Sequence, residues 1–293
     1  MSRDSIADLL KACRVEKGKG FKLKKFDPTG DVPAGLEKEA AESLLAEQVE
    51  RMAALQDMLY AQDRWAVLTL FQAMDAAGKD GAIKHVFSGL NPQGCQVQAF
   101  KAPTSTELDH DFLWRHVMHL PERGRIGIHN RSWYEEVLVA RVHPEVLAKQ
   151  RLPAKLVTKH IWDDRLEDIA AFERYLARNG VLVLKFFLNV SQEEQKQRFL
   201  SRIAEPEKNW KFNAGDIAER RHWDAYQTAY EKAIRATATP ESPWYVIPAD
   251  RKWLTRLLVS EAILQAMEKL DLHYPHLAEA DRQALERARA ELE

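Results

Sequence analysis

The stretch Ala66-Val67-Leu68-Thr69-Leu70-Phe71-Gln72-Ala73-Met74-Asp75-Ala76-Ala77-Gly78-Lys79-Asp80-Gly81 decides the fold. Its first six residues form an almost unbroken apolar run, the pattern of a strand covered on both faces. A Gly-containing loop follows, and then a helical stretch from Gly81 to Leu90. In a strand–loop–helix of this kind, successive backbone N–H groups and the positive end of the helix face one cavity, which suits phosphate oxygens. Ala76, Ala77, Gly78, Asp80 and Gly81 are expected to line that cavity. Lys79 adds a full charge that can follow a moving phosphoryl group. The match to G-x-x-x-x-G-K-[ST] is imperfect. Ala73 stands at the first Gly, which calls for a negative φ there, and Asp80 stands where a hydroxyl usually meets the metal. Asp75 lies within the loop, where a carboxylate beside phosphates needs an intervening cation, and is read as a Mg2+ ligand. The competing reading is an ordinary strand–turn–helix with an exposed Lys.

Working outward, Leu36, Ala40, Leu44, Leu45, Val49, Met52, Leu55 and Leu59 recur at three and four, predicting a helix over 35–62. Further strands are expected at Cys95–Phe100, Arg125–Asn130, Val181–Val190 and Trp244–Pro248. Helices are expected at Glu107–His119, Asp163–Arg178 and Lys252–Leu270. Alternating strands and helices imply an α/β domain with a mostly parallel sheet flanked by helices. About fifty residues between the last two strands lack any strand signal, and 191–239 reads as a helical lid. The expected division is a polar N-terminal segment at 1–33, a domain at 34–270 that includes the lid, and a charged, solvent-facing helical tail at 271–293.

The chain has 293 residues, 45% hydrophobic and 30% charged, the balance of an ordinary globular protein. Its formal net charge of −1 gives no overall bias towards polyanions, so any polyanion site must come from local clustering. Cys13 and Cys95 are far apart and are read as free thiols. No apolar run suits a signal peptide or a membrane span, so the cytoplasm is the default and no membrane partner is expected. No recognition helix, aromatic platform or basic stripe points to nucleic acid.

A second motif, Ile126-Gly127-Ile128-His129-Asn130-Arg131-Ser132-Trp133-Tyr134-Glu135, puts polar residues at the carboxyl end of a strand, the ligand-binding edge of open α/β sheets. Asn130 is suited to orient metal-bound water. Arg131 is suited to stabilise charge on a transferring group. Glu135 and Glu136 are expected to begin a helix, Glu136 as a cap that compensates its dipole.

These motifs, with Asn91-Pro92-Gln93-Gly94, Phe100-Lys101-Ala102-Pro103, Trp210-Lys211, Arg220-Arg221-His222-Trp223 and Thr239-Pro240-Glu241-Ser242-Pro243-Trp244-Tyr245, resemble the polyphosphate kinase 2 family. The resemblance spans about 35–270. It implies a P-loop kinase fold with a helical lid. It also implies reversible phosphoryl transfer between inorganic polyphosphate and adenine or guanine nucleotides, with Mg2+ (Mn2+ as the alternative). By that resemblance Asp75, Lys79, Asn130 and Arg131 carry catalysis, Asp75 and Asn130 meet the metal, and Arg198, Arg202, Lys208 and Lys211 supply lid cations. Lys101 is expected in the same polyphosphate groove. Asn130 and Glu135 replace the Asp and Asn of many members. Together with Val142-His143-Pro144-Glu145 they resemble the subgroup acting on both nucleoside mono- and diphosphates. The long helix over 35–62 and the resemblance both favour a homo-oligomer. An ATP-dependent nucleoside monophosphate kinase and a non-catalytic nucleotide or polyphosphate sensor are the alternatives.

Overall fold

The computed structural model describes residues 3–32 and 35–293. The expected boundary between 33 and 34 lies outside the described residues. The strands are β1 (Arg14–Val15), β2 (Ala66–Ala73), β3 (Cys95–Ala99), β4 (Ile126–Asn130), β5 (Val181–Asn189) and β6 (Trp244–Pro248). They form one sheet in the order β1-β6-β5-β2-β4-β3. All neighbouring pairs are parallel except β1 with β6. β2 is central, and Val67, Leu68, Leu70 and Phe71 are fully enclosed, as its apolar run requires. In register, Phe71 pairs with Asn130 on one side and Phe186 on the other, so the carboxyl ends of β2, β4 and β5 open on one edge.

The helices in chain order begin with α1 (Arg3–Cys13), α2 (Lys38–Gln62), α3 (Lys79–Val86), α4 (Ser105–Leu108) and α5 (Trp114–Val117). There follow α6 (Val139–Val142), α7 (Pro144–Lys149), α8 (Ile161–Arg178), α9 (Gln192–Ala204) and α10 (Ala214–Glu219). The last are α11 (Trp223–Thr237), α12 (Lys252–Met267) and α13 (Glu279–Leu292). α2 packs on α12, burying Met52 and Leu59, with Gln48 donating to Glu261 at 2.6 Å. Residues of α13 are exposed throughout. Among the described residues no helix is long and apolar enough to cross a membrane.

Two regions differ from the sequence-based expectation. The segment 3–32 is not merely polar: Ile6, Leu10 and Cys13 recur on one face of α1 and are buried, and β1 joins the sheet as its antiparallel edge. A two-residue strand is too short to leave a periodic signal. Burial also pushes the Cys13 thiol up to about 12, consistent with an inert free cysteine. The single helix expected at 107–119 is two short pieces. Asp111 accepts from the Leu113 amide at 2.9 Å, a local side-chain bond that competes with continuing helix.

Behind the sheet lies a buried polar cluster. Lys185 of β5 and Glu173 of α8 pair at 2.5 Å with essentially no exposure. Glu173 also accepts from Trp133 Nε1 at 3.1 Å, Tyr134 Oη at 2.7 Å and Ser242 Oγ at 3.2 Å. Lys185 donates to the Thr237 carbonyl at 2.7 Å. The cluster thereby anchors the turn that carries the second motif. Glu173→Ala strands a buried ammonium and three donors. It is expected to cost about 3–5 kcal/mol, read as a lower urea midpoint at unchanged slope.

Candidate phosphoryl-transfer site

The loop after β2 turns on two left-handed residues, Ala76 (φ +60°) and Gly78 (φ +103°). Ala73 closes β2 and is not among the positive-φ residues, so alanine is tolerated there. At Gly78 a side chain would be strained by the backbone itself. The loop carbonyls are held from behind by α9. Gln195 donates to Asp75 O at 3.0 Å, and Arg198 Nη1 donates to Ala76 O and Ala77 O at 3.0 and 2.7 Å. Arg198 Nη2 reaches Ala249 O and Asp250 O at 2.6 and 3.1 Å, beyond β6, and its Nε meets Glu194 at 2.8 Å. The first amides of α3 have no partner within the helix and remain available to an anion.

Lys79 opens α3 and curls back, 3.4 Å from Ala73 O. Desolvation, aided by Arg131, pushes its ammonium below the ordinary lysine range, while Asp75, Glu135 and Asp80 oppose that shift. Arg131 follows β4 in a left-handed conformation (φ +68°), unusual for a side-chain-bearing residue and held by its amide bond to Phe71 O at 3.0 Å. Its guanidinium lies 3.9 Å from Asp75. Asn130 donates to Asp80 at 2.7 Å. Glu135 is pushed above the usual carboxylate range by burial, against the pull of Arg131 and Lys79. With its amide turned to satisfy both ends, buried Gln72 donates to Glu135 at 2.8 Å and accepts from Ser132 Oγ and N at 3.0 and 3.1 Å.

Two cavities open on this constellation. The larger, about 680 Å³, is lined by the expected cations Lys79, Lys101, Arg131, Arg198, Arg202, Lys208 and Lys211, and also by Lys252 and Arg256. Its acidic residues are Asp75, Asp80 and Asp216 alone. The smaller, about 440 Å³, mixes apolar walls (Met74, Leu138, Val139, Val146, Tyr226, Tyr230) with polar groups including Glu135, Lys149 and Glu219. The two share Asp75, Phe100, Lys101, Arg131 and Asp216. Lys101 is steadied from behind by Arg115, which donates to its carbonyl at 2.7 Å. Such a pair of chambers meeting at one charged junction suits transfer of a group between two anionic substrates.

A sequence model of the family "Polyphosphate kinase 2 (PPK2)" matches residues 35–275. The chain belongs to the polyphosphate kinase 2 family. It is a phosphotransferase with the P-loop kinase-like architecture of that family. It is 52% identical to an ADP-polyphosphate phosphotransferase of Rhodopseudomonas palustris, covering 96% of this chain and 98% of that one. It is 45% identical to an AMP/ADP-polyphosphate phosphotransferase of Meiothermus ruber, covering 91% and 96%. The crystal structure of polyphosphate kinase 2 from Arthrobacter aurescens superposes with a TM-score of 0.85 at 38% identity, covering 94% of this chain and 95% of that one.

Within this polyphosphate kinase 2 site, several residues stand differently from the sequence reading. Glu136 is not a helix cap. It closes a 3-10 turn, Trp133–Glu136, is buried, and lies 3.8 Å from Arg165 while accepting from Gln150. Arg198 is not an open groove cation, because its donors are occupied by backbone carbonyls and Glu194. Gln72, Gln195, Lys252 and Arg256 went unread. A lone amide inside an apolar strand was the available signal for Gln72. For the cations it was an i, i+4 pair at the start of the helix leaving β6. Lys252 is exposed at the first position of α12. Lys252→Ala is expected to weaken binding of inorganic polyphosphate several-fold by isothermal titration, with little change in melting temperature.

Proposed function

We propose that this enzyme transfers phosphoryl groups from inorganic polyphosphate to AMP and ADP, with guanine nucleotides as further acceptors, and that it runs reversibly. The observation that carries this reading is the junction of a cation-lined cavity with a mixed apolar one at Asp75, Lys101 and Arg131. A string of phosphates fits the first. A nucleotide, with an apolar base and an anionic tail, fits the second. The names of the relatives support the same assignment.

In this mechanism the donor chain lies along Lys101, Arg202, Lys208, Lys211 and Lys252, with its end at the loop amides and Lys79. The acceptor phosphate approaches from the second chamber. Arg131 and Lys79 neutralise charge on the transferring group, while Gln195 and Arg198 hold the loop in place. The leaving group is a phosphate, so little acid–base chemistry is needed. The helices from 192 to 237 serve as the lid over both chambers. Glu135, held by Gln72 beside Arg131, borders the acceptor side and is the candidate for admitting a monophosphate.

Kinases of this family generally depend on a divalent metal. The donor set here is all oxygen, and among the described residues no group of three His, Cys, Asp or Glu converges. That suits Mg2+, which prefers few protein ligands and completes its shell with substrate phosphates and water. Asp75, Asp80 and Asn130 would hold it. When bound it offsets phosphate repulsion.

Lys79→Ala is expected to abolish ATP formation from ADP and polyphosphate, with no second nucleotide supplied, while the far-ultraviolet spectrum stays unchanged. Retained turnover would remove the loop from the mechanism. Glu135→Asn is expected to reduce use of AMP more than of ADP; equal effects would argue against its role. Raising salt should raise the KM for polyphosphate, because exposed charges are screened. A flat salt response would contradict a cationic track.

A further inference from the structure

We propose that His143 is a positioning residue that latches the lid over the acceptor chamber through Glu219. The inference rests on the assignment of the smaller cavity to the nucleotide. His143 sits between α6 and α7, just ahead of Pro144, whose ring at the first position of α7 stiffens the backbone that presents the imidazole. α6 and α7 supply Val139, Val146 and Lys149 to the chamber wall, and α10 supplies Glu219. His143 Nε2 lies 2.9 Å from Glu219 Oε2, and the same oxygen accepts from the Tyr226 hydroxyl at 2.9 Å. The other ring nitrogen, Nδ1, lies 3.3 Å from Glu145 of α7. The His222 ring meets His143 edge-on at 5.0 Å. Three pieces of the lid, α10, the turn after it and α11, therefore gather on one imidazole of the core.

α10 has six residues, too few to set its own orientation without outside contacts. Its other side-chain bonds stay local: Asp216 meets Arg202 of α9, and Asn213 caps the helix through the Gly215 amide. Among the described residues, the bond from His143 to Glu219 is the only hydrogen bond tying α10 to a residue outside 192–237. Glu219 and Asp216 are three apart and share a helix face. Fixing Glu219 therefore also sets Asp216, which borders both chambers. His143 itself lines neither cavity. Its side chain is 18% exposed and that of Glu219 34%, so the contact is partly sheltered from competing water. Glu219 itself borders the acceptor chamber and not the cation-lined one, so the effect of the latch falls first on the acceptor side.

The test compares His143→Leu and His143→Gln, which fill similar space while only glutamine can donate to Glu219. Initial rates are measured with the full chain, varying ADP and inorganic polyphosphate separately. His143→Leu is expected to raise the KM for ADP about tenfold, the scale of one charge-assisted hydrogen bond, and to leave the KM for polyphosphate within about twofold. His143→Gln is expected to recover most of that loss at the same melting temperature. In a double-mutant cycle, His143→Leu with Glu219→Ala should be no worse than the more damaging single change. An unchanged KM for ADP, equal rises in both KM values, equal behaviour of Leu and Gln, or additive effects would each overturn the latch. Val139→Trp, which fills the chamber, separates the two assignments. If it raises the KM for ADP while His143→Leu does not, only the latch falls. If it too leaves that KM unchanged, the chamber assignment fails and the latch falls with it.

Discussion

Carbonyl groups of the phosphate loop are turned outward because side chains of α9 hold them there. Gln195 takes the carbonyl of Asp75, and Arg198 takes those of Ala76 and Ala77. In a planar trans peptide the C=O and the following N–H point in opposite directions. Fixing the Ala77 carbonyl behind the loop therefore turns the Gly78 amide towards its front. The same guanidinium grips the backbone beyond β6 at Ala249 and Asp250. Loop, helix and sheet edge are tied at one buried arginine, and losing it leaves several carbonyls without partners.

The front of the loop is a place of unbalanced charge. Burial lowers the Lys79 ammonium and raises the Glu135 carboxyl, and each is opposed by the other's charge. Arg131, kept in a left-handed backbone by its bond to Phe71, supplies the third member. In water these groups would be screened; enclosed, they interact strongly with each other and with any phosphate that enters. The surplus of cations towards α9, Pro206–Lys211 and α12 sets the side on which a long anion lies. The apolar walls from α6, α7 and α11 set the side for a base.

Much of this was legible in the chain. The strand before the loop, the loop itself and Asn130-Arg131 are local patterns, and the parallel sheet brings them together as their positions at strand ends imply. Other features were hidden for identifiable reasons. Arg198 and Arg202 are four apart on a helix and read as one cationic face, yet the first turns into the loop and the second stays with Asp216. Asp111, through its bond to the Leu113 amide, interrupts the helix expected over 107–119. Ile6, Leu10 and Cys13 bury one face of a segment that read only as polar.

What the amino-acid sequence determined by itself was chemistry of short range: an apolar strand, a glycine where only glycine turns, a lysine at a helix start, an arginine just past a strand. These follow from backbone sterics and side-chain periodicity within a few residues. The tertiary structure decided which distant groups meet. Gln195 finds Asp75 across 120 positions, and His143 finds Glu219 across 76. No local rule selects such partners. They are chosen when packing of the sheet and helices removes water and leaves buried polar groups chiefly one another with which to bond.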